Sequence, residues 1–421
     1  MLLPALNRRG FLWLGAASAA GLATRRVHGA SGAPTAAPLI ASIEKVTVLR
    51  GRDGSGPTWF HPRACLVPGP RGPSVFMTLQ TILGSDMFGP VHWMESPDRG
   101  ASWSPPAPIP ALGRVPQPDG REEGVCDVVP EYHPATGAVL ALGHNVFYEQ
   151  GRFLREQPPR WPVYAVWRQG RWGPRRRLEW EDPRGKYIYT NNCGQRVTLP
   201  DGDILLALSH TPTMTGRGRA IVGALCSFDG ETLRVKRVGP AIPPENNKSI
   251  MEPSMVAFGG RYFLTLRAHH PENCGYVVAS DDGLVWGEKR RWAWDDGEPL
   301  TMSQTQQHWL AHSDALYLVY TRKDTGNVNV IRWRAPLFMA EFDPRTLRLR
   351  RATERVVLPL VGDGVNDPDR VAIMGNFHPV HISPDESWVT VGEWQPKNRL
   401  RGDLLQARIR WSRPNRLAPT F

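Results

Sequence analysis

The sequence predicts an all-β fold arranged as a propeller, and three observations carry that expectation. Its 421 residues include 41 Gly and 40 Pro with 41% hydrophobic residues, so a large core is interrupted by turns at high frequency. Past residue 60 an apolar strand, a turn carrying Asp or Gly, and a second strand often containing Trp or Leu recur along the chain, which is the rhythm of propeller blades. No helical period, P-loop or dinucleotide-binding glycine pattern competes with this reading.

The N-terminal elements are read first. Asn7-Arg8-Arg9-Gly10-Phe11-Leu12 is a twin-arginine pattern, Phe11 to Ala23 a short apolar run, and Val27-His28-Gly29-Ala30 suits signal peptidase. Residues 1–30 are therefore expected to be a twin-arginine export signal, and 31–42 a disordered lead-in. Residues 43–421 are expected to form a single catalytic domain, since no Gly/Ser-rich or Pro-rich linker follows residue 45. The apolar run is too short for a comfortable membrane span, so no stable membrane insertion is expected after cleavage, and the site of action is periplasmic or extracellular.

Charge and cysteine usage narrow the function classes. The formal charge is +11, of which Arg8, Arg9, Arg25 and Arg26 contribute four without any acid, leaving +7 for the rest. The basic residues are dispersed apart from Arg175-Arg176-Arg177 and Lys289-Arg290-Arg291, read as solvated loops. Dispersal and export together disfavour a nucleic-acid partner. Cys65, Cys126, Cys193, Cys226 and Cys274 show no CxxC or Cys/His spacing, which argues against structural zinc and gives no disulfide framework. The residues call for neither a metal nor a cofactor.

The turns repeat a recognisable device. Ser96-Pro97-Asp98-Arg99-Gly100-Ala101-Ser102-Trp103 and the shorter Ser280-Asp281-Asp282-Gly283-Leu284-Val285-Trp286 are the best copies, with weaker relatives at Asp201, Asp229, Asp343 and Asp385. In such a turn the Asp accepts from backbone amides, the Gly takes a positive φ, and the Trp packs between sheets.

Charges that interrupt apolar strands mark the candidate site, because a buried charge is costly unless something uses it. Arg63 stands in Phe60-His61-Pro62-Arg63-Ala64-Cys65-Leu66-Val67, and Asp86 follows in Leu83-Gly84-Ser85-Asp86. Glu252 opens Met251-Glu252-Pro253-Ser254, ahead of a Gly259-Gly260 turn and a strand ending in Arg267. Downstream, Arg332 and Arg334 share one strand face in Val330-Ile331-Arg332-Trp333-Arg334-Ala335-Pro336. Arg334 is preferred because Ala335-Pro336 ends its strand near a rim, with Arg322 in reserve.

This order of turns and charges resembles the sialidase superfamily. The resemblance implies a six-bladed β-propeller with blades of four antiparallel strands. It further implies an exo-acting glycosidase that cleaves a terminal carboxylate-bearing sugar from an anionic oligosaccharide or polysaccharide. Arg63, Arg267 and Arg334 would then clamp the carboxylate, Asp86 would serve as acid/base and Glu252 as the second catalytic group. In sialidases the first arginine precedes the proline, whereas here Arg63 follows Pro62.

A larger departure is Phe377, in Gly375-Asn376-Phe377-His378-Pro379, which falls where those enzymes carry a tyrosine nucleophile. A phenyl ring cannot attack an anomeric carbon. His378 replacing it, Tyr320 arriving from another blade, and an inverting reaction through water all remain open. A uronate-directed lyase with a base among His92, His144, His308, His378, Tyr187 and Tyr189, or a non-catalytic carbohydrate-binding propeller, are the alternatives. The amide-rich runs Tyr189 to Arg196 and Ser303 to Trp309 suggest Asn192, Gln195, Gln307 and His308 as sugar-binding residues.

Overall fold

The computed structural model describes residues 38–191, 193–245, 248–268 and 274–421. The export signal expected over 1–30 lies outside them. The described residues are 51% strand and 5% helix, in antiparallel sheets that follow one another along the sequence. Blade I comprises Trp59–Val67, Ser74–Gly84, Met87–Ser96 and Ala107–Pro108. Blade II is built on Glu122–His133, Ala138–Glu149 and Pro162–Arg168. Blade III is built on Ile188–Thr190, Ile204–Thr211, Ala220–Phe228 and Leu233–Val238. Ile250–Phe258, Arg261–Ala268, Gly275–Ser280 and Arg290–Arg291 make blade IV. Blade V is built on His308–His312, Ala315–Tyr320 and Leu337–Asp343.

The expected six blades of four strands need correcting: the propeller has five blades, not six. Each of the five comes from one contiguous stretch of chain. The remaining sheet is a composite, in which Ile40–Leu49 pairs with Leu404–Trp411 beside Glu386–Gly392 and Phe377–Ser383. It joins the two ends of the described chain. Four strands per sheet also fails as a rule, because short strands of two to four residues enlarge blade II to seven strands and blades III and V to five. Strand pairing begins at Ile40, inside the stretch expected to be a lead-in.

The second strand of each blade explains the apolar runs in the sequence. In Ile204–Thr211 every residue is buried, and alternation sends Ile204, Leu206 and Leu208 toward Leu140, Leu142 and Tyr164 of blade II. Leu205 and Ala207 face Leu264, Leu266 and Val278 of blade IV. Each blade thus packs on both faces, and each large apolar side chain so buried contributes about 1.5–3 kcal/mol. Outer strands such as Leu233–Val238 alternate buried and exposed positions.

The turns hold the register. Asp98 accepts from the Ser102 amide at 2.8 Å while Ser96 Oγ accepts from the Gly100 amide at 2.6 Å, with Gly100 at φ 81°. Asp282 accepts from the amides of Leu284 at 2.9 Å and Val285 at 2.7 Å. Hydrogen bonds from Ser102 hold the Asp98 carboxyl below its usual range.

The first strands of successive sheets touch one another around the centre. Three of them carry the same irregularity near their starts. A β-bulge falls between Phe60 and Arg63, between Cys126 and Val129, and between Met251 and Ser254. Within these bulges His61, Asp127 and Glu252 take φ of 53°, 57° and 49°. A left-handed backbone costs a non-glycine residue about 1–2 kcal/mol, and here it re-aims one polar side chain per strand.

Candidate active site

At the bulged end of the central channel the structure gathers most of the predicted charges. Glu252 and Arg267 sit at the start and end of the paired strands Ile250–Phe258 and Arg261–Ala268, and Met251 is opposite Arg267 in the register. The Gly259-Gly260 turn, at φ 58° and 77°, reverses the chain between them. Arg267 Nη1 donates to Glu252 Oε1 at 2.5 Å, while Glu252 Oε2 and Arg267 Nε are buried without hydrogen-bond partners among the described residues. The ion pair is therefore only half satisfied and offers both an acceptor and a donor.

Arg63 is fully buried, donating from Nη2 to Asp127 Oδ1 at 3.0 Å and Gln306 Oε1 at 3.2 Å. Its Nε and Nη1 have no partners. Gln306 is the hub of this floor: its Oε1 also accepts from Cys193 Sγ at 2.9 Å and meets His308 Nε2 at 2.7 Å. Its amide nitrogen bonds Asn376 Oδ1 and the Gly375 carbonyl. Asn376 in turn meets His61 Nε2 at 3.0 Å.

Arg334 reaches the same floor from blade V. Its Nη2 donates to the Gln304 carbonyl at 2.9 Å, and a Cβ placed on Gly375 would lie 2.8 Å from its Nη1. Burial, then the neighbouring cations Arg267 and Arg332, pull its pKa down to about 9 against the opposing influence of Glu252 and Asp86. The strand expected over Val330 to Arg334 is not formed. Ile331–Trp333 is a short 3-10 turn with Arg332 at φ 52°, so the alternation argument fails. Arg332 is exposed, and Arg334 alone of the two hydrogen-bonds the floor. Arg322 is excluded by its bonds to Glu354 and Asp324.

Asp86 occupies the exposed tip of the hairpin between Ser74–Gly84 and Met87–Ser96, at φ 58°. It stands close enough for its charge to act on His61 and Arg334.

Other predicted residues lie elsewhere. His378 makes no hydrogen bond to Glu252, and both its ring nitrogens are buried without partners. With Gln195, Arg196 and Phe421 it lines a cavity of about 670 Å³. That cavity lies further along the first strands, roughly 10 Å from the bulges at about 3.3 Å per residue. Burial holds the His378 imidazole well below its usual pKa, so it is neutral, and among the described residues it makes no contact with Glu252 through which it could replace the tyrosine. Tyr320 donates to Glu354 at 2.6 Å, away from the floor.

Gln195 is spent on scaffolding, bonding the Trp309 backbone and Ser254 Oγ at 2.7–2.9 Å. Gln307 is buried against Thr265 Oγ1 at 2.6 Å, and His308 is held between Ser254 and Gln306. These two are closed to a sugar by burial and lie beneath the site. Asn192 lies outside the described residues.

Sequence reading missed Asp127, His61 and Gln306. Asp127 is 3.5 Å from His61 Nε2 and 3.9 Å from His144 Nε2. Cys126, Asp127 and His144 bring one potential ligand atom each within 4.8 Å of one another. Arg63 and Arg160 act on Cys126, and burial raises its thiol pKa well above the usual value, so the set is poorly suited to a cation. Cys65, Cys126, Cys193 and Cys226 are buried free thiols, and Cys274 is buried as well.

Arg160 and Arg219 were not anticipated either. Each precedes the third long strand of its blade, and each bonds the first strand of the next blade: Tyr189 N donates to Arg160 O at 2.9 Å, and Ile250 N to Arg219 O at 3.2 Å.

No protein-family model matches the chain, and no curated protein matches it. Solved structures do resemble it. A protein of unknown function from Dyadobacter fermentans aligns with TM-score 0.60 at 13% identity, covering 88% of this chain and all of that one. The Hadza microbial sialidase aligns at 0.61 and 12% identity, covering 87% of this chain and 68% of its own. Trypanosoma rangeli sialidase aligns at 0.57 and 13% identity over 88% of this chain, which spans 60% of that protein. Similarity this distant in sequence establishes a sialidase-like β-propeller fold. No helix among the described residues is long and apolar enough to cross a membrane.

Proposed function

We propose that the chain is a glycoside hydrolase of the sialidase fold that removes a terminal carboxylate-bearing sugar from a glycan. The observation that carries this reading is the crowding of Arg267 and Arg334 around one half-satisfied carboxylate, Glu252. Guanidinium groups this close repel one another unless an anion lies between them, and their planar forks match a carboxylate. Arg63, 0% exposed and paired with Asp127, lies beneath this floor and supports it through Gln306.

Among the described residues no tyrosine hydroxyl or imidazole hydrogen-bonds Glu252, so attack is assigned to water. Asp86 on its exposed hairpin gives a proton to the glycosidic oxygen as the bond from the anomeric carbon to that oxygen breaks. Glu252 takes a proton from the water whose oxygen forms the new bond, and the anomeric configuration inverts. Export by the twin-arginine route would bring the enzyme to its glycan in the periplasm or outside the cell.

The test is incubation with sialylated and uronate-terminated oligosaccharides followed by proton NMR. A free acidic sugar released with inverted configuration, and lost in Glu252→Gln, supports the reading. A retained anomer contradicts attack by water. An unsaturated uronide absorbing in the near ultraviolet identifies a lyase, and binding without turnover identifies a carbohydrate-binding propeller.

A further inference from the structure

We infer that a second anion-binding subsite, formed by Arg160 and Arg219 over blade III, lies beside the carboxylate clamp and takes a sulfate ester on the same glycan. This deepens the proposed function and rests on its placement of the sugar carboxylate.

The argument starts from position. Arg160 precedes Pro162–Arg168 and Arg219 precedes Ala220–Phe228, so the pair brackets the pocket end of blade III from its two inter-blade clefts. Their backbones are fixed there: the Arg160 amide donates to Tyr187 O at 2.7 Å, and the Arg219 amide to Ser249 Oγ at 3.2 Å.

Neither cation is neutralised. Among the described residues no carboxylate lies within 4.0 Å of either guanidinium, although the surface arginines Arg176, Arg234 and Arg351 all have such partners. Arg160 is 9% exposed and spends only Nε, on the Asn145 carbonyl at 3.2 Å. The Arg219 Nε is buried with no hydrogen-bond partner among the described residues. Burial, then the Arg160 charge, lowers the Arg219 pKa to about 9, with Arg267 adding to the effect and Glu252 opposing it. The Arg219 carbonyl accepts from the Ile250 amide at 3.2 Å, two residues before Glu252, which places Arg219 beside the clamp.

Unpaired buried cations are retained where a ligand supplies the counter-charge. Arg160 bridges Ile188, and a Cβ on Gly216 would lie 3.1 Å from Ile188 Cδ1 and 2.9 Å from Arg219 Nη2, so both arginines border Ile188 and their planar forks offer several donors to a tetrahedral anion. The sugar carboxylate is already assigned to Arg267 and Arg334, so the extra pair calls for a separate anionic group. A sulfate ester keeps its charge across the physiological pH range and fits that donor set.

The experiment is calorimetric titration of the full folded chain with two matched pairs, sialyllactose with and without a sulfate ester, and unsulfated chondroitin with chondroitin sulfate tetrasaccharides. The wild type should bind the sulfated member of at least one pair roughly tenfold to a hundredfold more tightly, the range of one or two charge-assisted hydrogen bonds. In Arg160→Gln/Arg219→Gln that preference should fall below about threefold, and Arg219→Lys, which keeps the charge but loses the fork, should lie between. Thermal melts confirm that each variant is folded. The inference is overturned by a wild type without sulfate preference, or by a double variant that keeps it. Arg267→Ala separates the two readings: loss of both members of a pair supports the clamp, whereas undiminished binding there refutes the clamp independently of any sulfate preference.

Discussion

Replacing Asp127 by Asn removes the carboxylate nearest to a fully buried arginine. Arg63 is 0% exposed, has two nitrogens without partners, and relies on Asp127 Oδ1 at 3.0 Å for its counter-charge. Breaking a buried pair from one side costs about 3–5 kcal/mol, most of it from the stranded charge. A folded unit of this size has an unfolding entropy of roughly 0.8 kcal/mol per kelvin, so the melting temperature should fall by about 4–6 °C. The assay is differential scanning calorimetry of wild type, Asp127→Asn, Arg63→Met and the double variant at neutral pH. Removing both charges should recover more than half of the loss. A drop under about 1 °C in Asp127→Asn, or a double variant whose loss equals the sum of the singles, would refute the account of Asp127 as the counter-ion of Arg63.

Acidification should destabilise the fold well before its carboxylates titrate. Burial holds His61, His144, His308 and His378 well below the ordinary imidazole value, and His381 at about 4. Below pH ~6.5 the unfolded chain binds protons that the folded chain refuses, so stability falls with pH by up to about 1.4 kcal/mol per unit for each histidine. Denaturant melts between pH 7.5 and 5 should show this slope, and a flat profile there would contradict it. Gly375→Ala places a Cβ 2.8 Å from Arg334 Cδ and Nη1, displacing the guanidinium from the clamp. Affinity for an acidic sugar should drop roughly tenfold with little change in melting temperature, and unaltered affinity would show that Arg334 does not hold the ligand.

The clearest feature in the sequence was the pairing of Glu252 with Arg267, because a Gly-Gly turn between two apolar strands places their ends opposite one another. Arg63 was legible as a charge inside an apolar strand. The same criterion applies to Asp127 in Val125-Cys126-Asp127-Val128-Val129, a charge that went unremarked. A shared sign was also available: His61-Pro62 and Glu252-Pro253 occupy equivalent bulges, and a proline in a first strand marks a break in its ladder. Gln306 was hidden by its neighbours, since the amide-rich run was noticed but Gln307 was chosen from the opposite face of the chain.

Blade number and strand count were not legible. Two-residue strands such as Arg171–Trp172 carry no period, and pairing of Ile40–Leu49 with Leu404–Trp411 is a contact across the whole described chain. Arg160 and Arg219 sit in connections, where sequence pattern does not report direction. His378 is not legible as a site residue because chain position beside Phe377 does not show that its imidazole is buried against His308 and lines a different cavity.

The central claim is that Arg267 and Arg334 recognise a sugar carboxylate. Calorimetric titration with an acidic sugar and its methyl ester tests it most directly. The account predicts that the acid binds at least about a hundredfold more tightly than the ester, as two charge-assisted hydrogen bonds require, and that Arg267→Ala removes the difference. Equal binding of acid and ester by the wild type would contradict it.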